Sequence, residues 1–260
     1  MKRFLKVTFI LLLFVAAGIF IGLAINEQYP YIKAKQIYKE IQAEFVIPAV
    51  PDPDEESDGE SGDTQEESRA IDFNQLRSKY PNAIGWIYVP GTQIDYPICK
   101  GTDDFYYLTH TPSGQYNKLG AIYVPANTSE ALSDAHTVIY GHNMKSGQMF
   151  GELSNYTSET FRNNHPTVYI YTPDKTFKCV VYNAYTCIGG DENYYIEMEF
   201  GSDKYEDWLE QSSTPLAYSK QYVALAPDVQ TFSLSTCSDS GPKKNRYIVH
   251  CIVTSVLEDY

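Results

Sequence analysis

The sequence is poor in cysteine, and no two of its cysteines are closely spaced. Five occur in 260 residues, at Cys99, Cys179, Cys187, Cys237 and Cys251. The paired spacing that is typical of zinc ligands is absent, so we expect no zinc site. The odd number leaves at least one thiol without a partner in its own chain. We expect the other four to lie on strands as small buried hydrophobes; a disulfide among them is the alternative.

Positive charge is also scarce. The chain has 20 Lys and Arg against 33 Asp and Glu, which gives a net charge of −13. No basic patch or stripe is present, so we expect no nucleic-acid partner. Residues 51–68 carry nine acidic groups, no basic group and no large apolar residue. Such a segment cannot bury apolar surface, and its composition predicts a flexible, self-repelling linker.

One stretch near the N-terminus lacks charge of either sign. Residues 7–25 form an uncharged, apolar run of 19 residues, which is about the length of a helix that crosses a bilayer. Lys2, Arg3 and Lys6 precede this run. Because basic residues flank the cytoplasmic side of membrane helices, they predict a single-pass membrane protein with a cytoplasmic N-terminus and an extracellular domain.

The alternative interpretation of the same run is a cleaved signal peptide, since Gly22 and Ala24 provide a weak cleavage site.

The apolar run also divides the chain into three parts. We expect a cytoplasmic tip and membrane anchor at 1–28, followed by a juxtamembrane helix and acidic linker at 29–68. The remainder, 69–260, is long enough to form one domain with a sizeable core.

Short runs that mix Tyr, Val, Ile and Thr recur through this domain. Tyrosine is abundant, with 23 copies in the whole chain. The runs are separated by Gly, Pro, Asn and Asp, as strands are. The predicted strands are IGWIYVP, IDYPICK, GAIYVP, HTVIYGH, TVYIYTP, TFKCVVYNAYTCI, TFSLSTC and RYIVHCIVTSVL. Helices are predicted for DFNQLRSKYP, with Asp72 near its cap, and for SDKYEDWLEQSS. The pattern indicates a mainly β barrel or sandwich with peripheral helices.

The last two predicted strands place a thiol near a guanidinium. One strand ends at Cys237 and the next begins at Arg246, with eight residues between them. Residues that pair across a hairpin point to the same side, about 5 Å apart at Cβ. A nearby cation lowers the pKa of a thiol; alternatively, the guanidinium stabilises an oxyanion on a carbonyl that the thiolate attacks. Both roles suit a cysteine nucleophile, and the alternative is a buried structural cysteine beside a surface arginine.

A cysteine nucleophile also needs a proton partner, which is usually a histidine. His142 ends the strand HTVIYGH after Gly141, and a glycine allows a strand to end sharply at the mouth of a barrel. His250 lies four residues after Arg246, roughly 13 Å along the strand, and is too far away. The remaining histidines are expected in solvated loop, helix-end or strand-start positions: His110, His136 and His165.

Three motifs, in this order, resemble those of the sortases, which are membrane-anchored cysteine transpeptidases of Gram-positive bacteria. They are VIYGHNMKSGQMFGEL, FSLSTC and RYIVH, and the resemblance covers about residues 70–258. The histidine motif, the helix before the last strands, and the upstream segments KGTDDFYYLTH and GAIYVPANTS are similar to class B. The chain lacks the aspartate-proline-aromatic lid and second membrane span of class C. The resemblance implies a closed sortase-type β-barrel with peripheral helices, preceded by a transmembrane helix.

The resemblance also assigns site residues. It implies that Cys237 is the nucleophile, His142 the general acid and Arg246 a clamp for the oxyanion or substrate. The substrate contacts of class B would map to Asp104, Leu108, Tyr140 and Ser235. The family pattern usually has asparagine where this chain has Asp104. Since a carboxylate cannot donate a hydrogen bond as an amide does, this departure bears on the choice of sorting motif.

The implied reaction cleaves the C-terminal sorting signal of a secreted protein at a threonyl bond. A thioester forms on Cys237, and an amine of the cell wall or of a pilin then receives the protein. The resemblance implies no metal and no cofactor. The expected partners are secreted proteins with a sorting signal, an amine of a peptidoglycan precursor or pilin, and the membrane. The alternatives are a cysteine hydrolase with water as acceptor and a non-enzymatic, wall-anchored binding module.

Overall fold

A computed structural model describes residues 2–48, 69–188, 198–213, 225–237 and 245–258. The predicted acidic linker at 51–68 lies outside these residues, as does the loop 238–244 between the last two strands. Cys237 is described as the last residue of its strand, and its thiol is outside the description.

Eight strands close into a barrel. They are β3 (Ala83–Tyr88), β4 (Asp95–Lys100), β5 (Ile122–Val124), β6 (His136–His142), β7 (Thr167–Tyr171), β8 (Lys175–Ile188), β9 (Thr231–Cys237) and β10 (Asn245–Glu258). The order is β10-β8-β7-β3-β4-β5-β6-β9, and β9 pairs with β10 to close it. The pairs β4–β5 and β6–β9 are parallel, and the other pairs are antiparallel. All eight predicted strands are confirmed, and the mainly β, closed-barrel fold with them.

Two apolar clusters lie on opposite faces of the strands that matter for the site. Ile139 of β6 and Leu234 of β9 belong to the main core. Val138 and Tyr140, the neighbours of Ile139 along β6, belong to a second buried cluster together with Ile248 of β10. Because successive side chains point to opposite faces of a sheet, both faces of β6 are covered at this place. β6 is therefore packed on both faces up to Tyr140, two residues before its end.

A long helix, α1 (Lys2–Phe45), precedes the barrel. It is long and apolar enough to cross a membrane by length and composition. The helix does not end where the apolar run ends. Four side chains of its second half, spaced three or four residues apart, are buried in the main core: Ala34, Tyr38, Ile41 and Phe45. This spacing forms one face of a helix, and that face packs on the barrel.

The remaining elements lie around the barrel. β1 (Val46–Ile47) pairs with β2 (Ala70–Ile71), and the helices are α2 (Phe73–Lys79), α3 (Glu159–Asn164) and α4 (Asp203–Ser213). Two 3-10 helices span Tyr106–Leu108 and Gly151–Thr157. Asp72 caps α2 by accepting a hydrogen bond from the backbone N–H of Gln75 at 2.9 Å, as predicted. The helix predicted from SDKYEDWLEQSS is also confirmed, since it forms α4.

Candidate active site

His142 and Cys237 end two adjacent strands. β6 and β9 run parallel, and the two residues are Cα partners at the C-terminal ends of both strands. Neighbouring strands lie about 4.8 Å apart. The barrel therefore brings a histidine and a cysteine from distant parts of the sequence to neighbouring backbone positions.

Arg246 approaches the same place from the other side of β9. In the antiparallel pair β9–β10, Ser235 is the Cα partner of Ile248. Cys237 lies two residues after Ser235 and Arg246 two residues before Ile248, so the register of this pair, when extended, brings their backbone positions opposite each other. The guanidinium Nη1 of Arg246 donates to the carbonyl oxygen of Thr236 at 3.5 Å. Three adjacent strands thus present His142, Cys237 and Arg246 at one end of the barrel.

The imidazole of His142 is oriented by a backbone carbonyl. Its Nε2 lies 2.7 Å from the carbonyl oxygen of Leu108, the last residue of a 3-10 helix. A carbonyl oxygen can only accept a hydrogen bond, so Nε2 carries the proton. Nδ1 is then the ring nitrogen that can exchange a proton with a reacting group.

The packing of neighbouring side chains leaves room only for a glycine at position 141, directly before His142. A Cβ on Gly141 would lie 2.4 Å from the Cδ1 of Ile122 and 2.8 Å from the Cγ of Phe150. Neither contact is possible without displacing a buried side chain. After the strand, the backbone N–H of Phe150 donates to the carbonyl of His142 at 3.0 Å. The backbone of β6 is therefore held in place both at Gly141 and at His142.

Three of the predicted substrate contacts lie beside the His142–Cys237 pair. Tyr140 and Ser235 are Cα partners two residues before it, and Leu108 provides the carbonyl that His142 binds. The ring of Tyr140 stacks on that of Tyr123 at 5.6 Å, and Leu108 packs against the apolar cluster that contains both tyrosines. Ser235 is fully buried. Tyr140 and Ser235 are thus neighbours of the His142–Cys237 pair in the sheet, and Leu108 contacts the imidazole through its backbone.

Asp104, the fourth predicted contact, lies on the loop that leads to Leu108. Its Oδ1 accepts a hydrogen bond from the backbone N–H of Ala126 at 2.8 Å. This contact needs only an acceptor, which either a carboxylate or a side-chain amide can supply. The loop position is therefore compatible with the asparagine that the family pattern has there.

Two other histidines have structural contacts. His250 is buried, with Nδ1 2.6 Å from the Oγ of Ser233, and burial lowers its pKa to about 3. The expectation that His136 is solvated is wrong, because only 7% of it is exposed. Helix α4 covers the start of β6, and the ring of Trp208 lies 4.0 Å from that of His136.

The four cysteines other than Cys237 lie on strands, and three of them, Cys99, Cys179 and Cys251, are buried there as expected, whereas the expected burial is wrong for Cys187. Burial raises the pKa of Cys99, of Cys179 and of Cys251 well above that of an ordinary thiol. A thiol in such surroundings is protonated and inert at neutral pH. Cys187 is partly exposed. Burial therefore excludes three of the five cysteines as nucleophiles.

The barrel and its strand ends agree with the comparisons to known proteins. The family model described as "Sortase domain" matches residues 87–253. The chain belongs to the sortase family. Sortase B of Listeria monocytogenes is 29% identical over 180 residues, which cover 68% of this chain and 72% of that relative. Sortase B of Staphylococcus aureus is 24% identical over 260 residues, 99% of this chain and 98% of that relative.

Solved structures of class B sortases have the same fold as this sortase. The B. anthracis sortase B aligns with a TM-score of 0.69 at 25% identity, over 89% of this chain and 99% of that chain. The Listeria monocytogenes sortase B aligns with a TM-score of 0.61 at 28% identity, over 69% of this chain and 99% of that chain. With the named relatives, these matches place the chain in class B and establish it as a sortase-type cysteine transpeptidase.

Sequence reasoning missed the group that orients the catalytic candidate His142. Leu108 is predicted only as a substrate contact, whereas its carbonyl oxygen makes a contact with the imidazole. A backbone carbonyl has no residue-type signature. Only the tertiary structure can show that one of these groups faces a ring 34 positions further along the chain.

Proposed function

We propose that this sortase cleaves a C-terminal sorting signal at a threonyl bond and joins the new carboxyl end to an amine. Cys237 is the nucleophile, His142 the general acid and base, and Arg246 the clamp for the substrate carbonyl. The observation that carries the proposal is the pairing of His142 with Cys237 at the ends of two parallel strands. The acceptor is an amine of a cell-wall peptide or of a pilin.

In the proposed steps His142, whose proton is on Nε2 in the free enzyme, first takes the thiol proton of Cys237 on Nδ1, which gives a thiolate and an imidazolium. The Cys237 thiolate attacks the threonyl carbonyl, and the tetrahedral intermediate then collapses to a thioester. The leaving amine takes a proton from Nδ1 of His142 as the peptide bond breaks. The acceptor amine next attacks the thioester and returns a proton to His142. The thiolate leaves as the new amide bond forms and takes this proton back from Nδ1, so the enzyme ends as it began.

In this proposal Arg246 stabilises the charge that develops on the carbonyl oxygen. It lies at the start of β10, next to the end of β9. A guanidinium offers several donors in a fixed planar arrangement. Donors that are held in place before the reaction stabilise an oxyanion without reorganising.

The proposed location follows from the N-terminal helix. Residues 7–25 cross the membrane once, with Lys2, Arg3 and Lys6 on the cytoplasmic side. The domain from residue 69 onward then lies outside the cell. There it meets both secreted proteins with a sorting signal and the amine acceptor.

The decisive experiment is mass spectrometry of the enzyme after incubation with a library of sorting-signal peptides. We expect an adduct that contains the N-terminal part of one peptide, ends in threonine and maps to Cys237. Addition of an amine should release it as an amide. Release only as a free acid, even with abundant amine, would favour the hydrolase. A Cys237→Ala variant should form no adduct and should unfold at nearly the same temperature as the wild type.

A labelling experiment distinguishes the nucleophile from the other thiols. Since Cys187 is partly exposed and three further cysteines are buried, the test uses a Cys187→Ala background. In this background we expect a small alkylating agent to modify Cys237 alone in the folded domain at neutral pH. An inert Cys237 in a folded protein would contradict its proposed role. The alternative of a non-enzymatic binding module is disfavoured by membership of this enzyme family.

A further inference from the structure

We propose that Gly120 is a positioning residue for His142, and that helix α1 holds Gly120 in place through Tyr38. This inference rests on the proposed catalytic role of His142. It joins three contacts in series: Tyr38 to Gly120, Gly120 to Leu108, and Leu108 to His142. Its consequence is that the second half of α1 belongs to the catalytic unit.

The contact nearest to the chemistry joins Leu108 to His142. The Nε2–H of His142 donates to the Leu108 carbonyl oxygen at 2.7 Å. This one hydrogen bond determines which ring nitrogen carries the proton and directs Nδ1 away from Leu108. A displaced or rotated carbonyl would allow the other tautomer, in which Nδ1 already carries the proton and cannot accept one.

The middle contact joins Gly120 to the carbonyls before it. Gly120 has a φ of +58°, and a Cβ there would lie 2.7 Å from the Leu108 oxygen and 2.3 Å from the Tyr107 oxygen. Both atoms are backbone, so neither can move aside without moving the 3-10 helix. The backbone N–H of Ala121 also donates to the Tyr107 oxygen at 2.9 Å. The backbone of Gly120 thus lies directly behind the carbonyl that orients His142.

The outer contact joins Gly120 to α1. The hydroxyl of Tyr38 is buried and donates to the carbonyl oxygen of Gly120 at 2.6 Å. Burial raises the pKa of Tyr38 well above its ordinary value, so this hydroxyl remains a donor at every pH where the protein works. The side-chain amide of Asn117 also donates to the carbonyl of Pro30 at 3.4 Å. The loop 117–120 is therefore attached to α1 at two points.

The first test compares two glycine variants of the full-length chain in detergent. Gly120→Ala adds a Cβ that meets the Leu108 carbonyl. Gly114→Ala is the matched control, because Gly114 also has a positive φ, of +76°, and its Cβ would meet only the Tyr106 hydroxyl, at 3.2 Å. Both substitutions introduce backbone strain, but only the first one touches the carbonyl that His142 binds.

We expect Gly120→Ala to lower kcat for peptide transfer roughly 10–100-fold with little change in KM, since a displacement of about 1 Å at a reacting group can cost about 100-fold. The ring-nitrogen NMR shifts of His142, assigned by their absence in a His142→Asn variant, should show loss of the Nε2–H tautomer. Gly114→Ala should keep both the wild-type tautomer and kcat within about twofold of wild type.

The second test removes only the hydroxyl of Tyr38. We expect Tyr38→Phe to lower kcat roughly three- to tenfold, as for the loss of one buried hydrogen bond, and to change the His142 tautomer signal in the same direction. Tyr156→Phe is the control, because the hydroxyl of Tyr156 likewise donates to a backbone carbonyl, that of His165, at 2.9 Å. It should leave the tautomer and kcat unchanged.

The outcomes separate this inference from the proposed function. If Tyr38→Phe folds and keeps the wild-type tautomer and kcat, the inference is overturned, even if Gly120→Ala fails to fold. If Tyr156→Phe or Gly114→Ala changes the tautomer as much as its partner variant does, the effect is general destabilisation and the inference fails. The tautomer is measured without turnover. An absent acyl-enzyme on wild-type Cys237 would therefore refute the proposed function and leave this readout intact.

Discussion

Arg246 is the residue whose chemical role can be tested most sharply. Its Nη1 donates to the carbonyl of Thr236, next to the end of the strand that carries Cys237. If it binds an oxyanion, the geometry of its donors matters as well as its charge. Lysine keeps the charge on a flexible stem but loses the planar arrangement of donors.

We therefore expect Arg246→Lys to lose on the order of 10²–10³ in kcat, which is the usual effect of removing one oxyanion donor. Alkylation of Cys237 by a small reagent makes no oxyanion and should fall much less. Both rates are measured on Arg246→Lys and Arg246→Ala. Equal losses of alkylation and turnover would mean that Arg246 acts mainly on the thiol pKa. Near-wild-type turnover in Arg246→Lys would remove the clamp role.

Asp104 tests the choice of substrate. Its carboxylate accepts from the N–H of Ala126, and an asparagine can keep that contact through its amide oxygen while adding N–H donors. We expect Asp104→Asn to change the ranking of sorting peptides by kcat/KM and to change the unfolding free energy by less than about 0.5 kcal/mol. An unchanged ranking would remove Asp104 from the binding site.

His250 makes stability depend on pH. Burial lowers its pKa from 6.5 to about 3, so between these values only the unfolded chain binds a proton there. The unfolding free energy should therefore fall as pH decreases from 6.5 towards 3, by up to about 1.4 kcal/mol per pH unit from this group. A His250→Gln variant should show a shallower decrease over the same range. Parallel curves for the two proteins would contradict a neutral buried His250.

Among the elements, α1 runs without a break through residue 28, where the sequence predicts the boundary between the membrane anchor and the juxtamembrane helix. Its apolar first half has the length and composition of a membrane span, and its second half packs into the main core. Phe45, at the end of the helix, is 1% exposed, and Ile47, just beyond, is 49% exposed. The ring of Phe45 meets that of Tyr80 edge-on at 5.8 Å.

If the second half of α1 belongs to the folded domain, Phe45→Ala should lower its unfolding free energy by about 3–5 kcal/mol, as at other buried phenylalanines. Ile47→Ala should cost much less, because Ile47 is half exposed. Denaturant unfolding of the full-length chain in detergent measures both. Equal, small effects would show that α1 docks only weakly on the barrel.

Most strands could be predicted from local sequence, and the pairing of the active strands could not. Alternation of apolar and polar residues between turn residues is a local signal, and it identified all eight barrel strands. The pairing of β6 with β9 depends on residues that are far apart in the sequence, because parallel strands need a long crossover connection. Likewise, the solvation predicted for His136 was wrong because α4, more than 60 residues later, covers it.

At the scale of the whole molecule, the N-terminal run should determine location and not chemistry. We expect a chain whose residues 7–25 are replaced by an unrelated apolar helix of the same length to remain in the membrane fraction and to attach cargo to the wall. A chain that lacks 7–25 should cleave peptides in solution but fail to attach cargo in cells. Wall attachment by this anchorless chain at the wild-type level would contradict the role of the anchor.

The apolar N-terminal run, the eight barrel strands, the helix cap at Asp72 and the three sortase motifs could all be identified from the sequence alone. Each of these depends on residues that are close together in the chain. The folded structure was needed to show that His142 is the Cα partner of Cys237, that the Leu108 carbonyl orients His142, and that α1 joins the core. Register, backbone orientation and helix docking depend on contacts between distant segments, because closing the barrel brings those segments together.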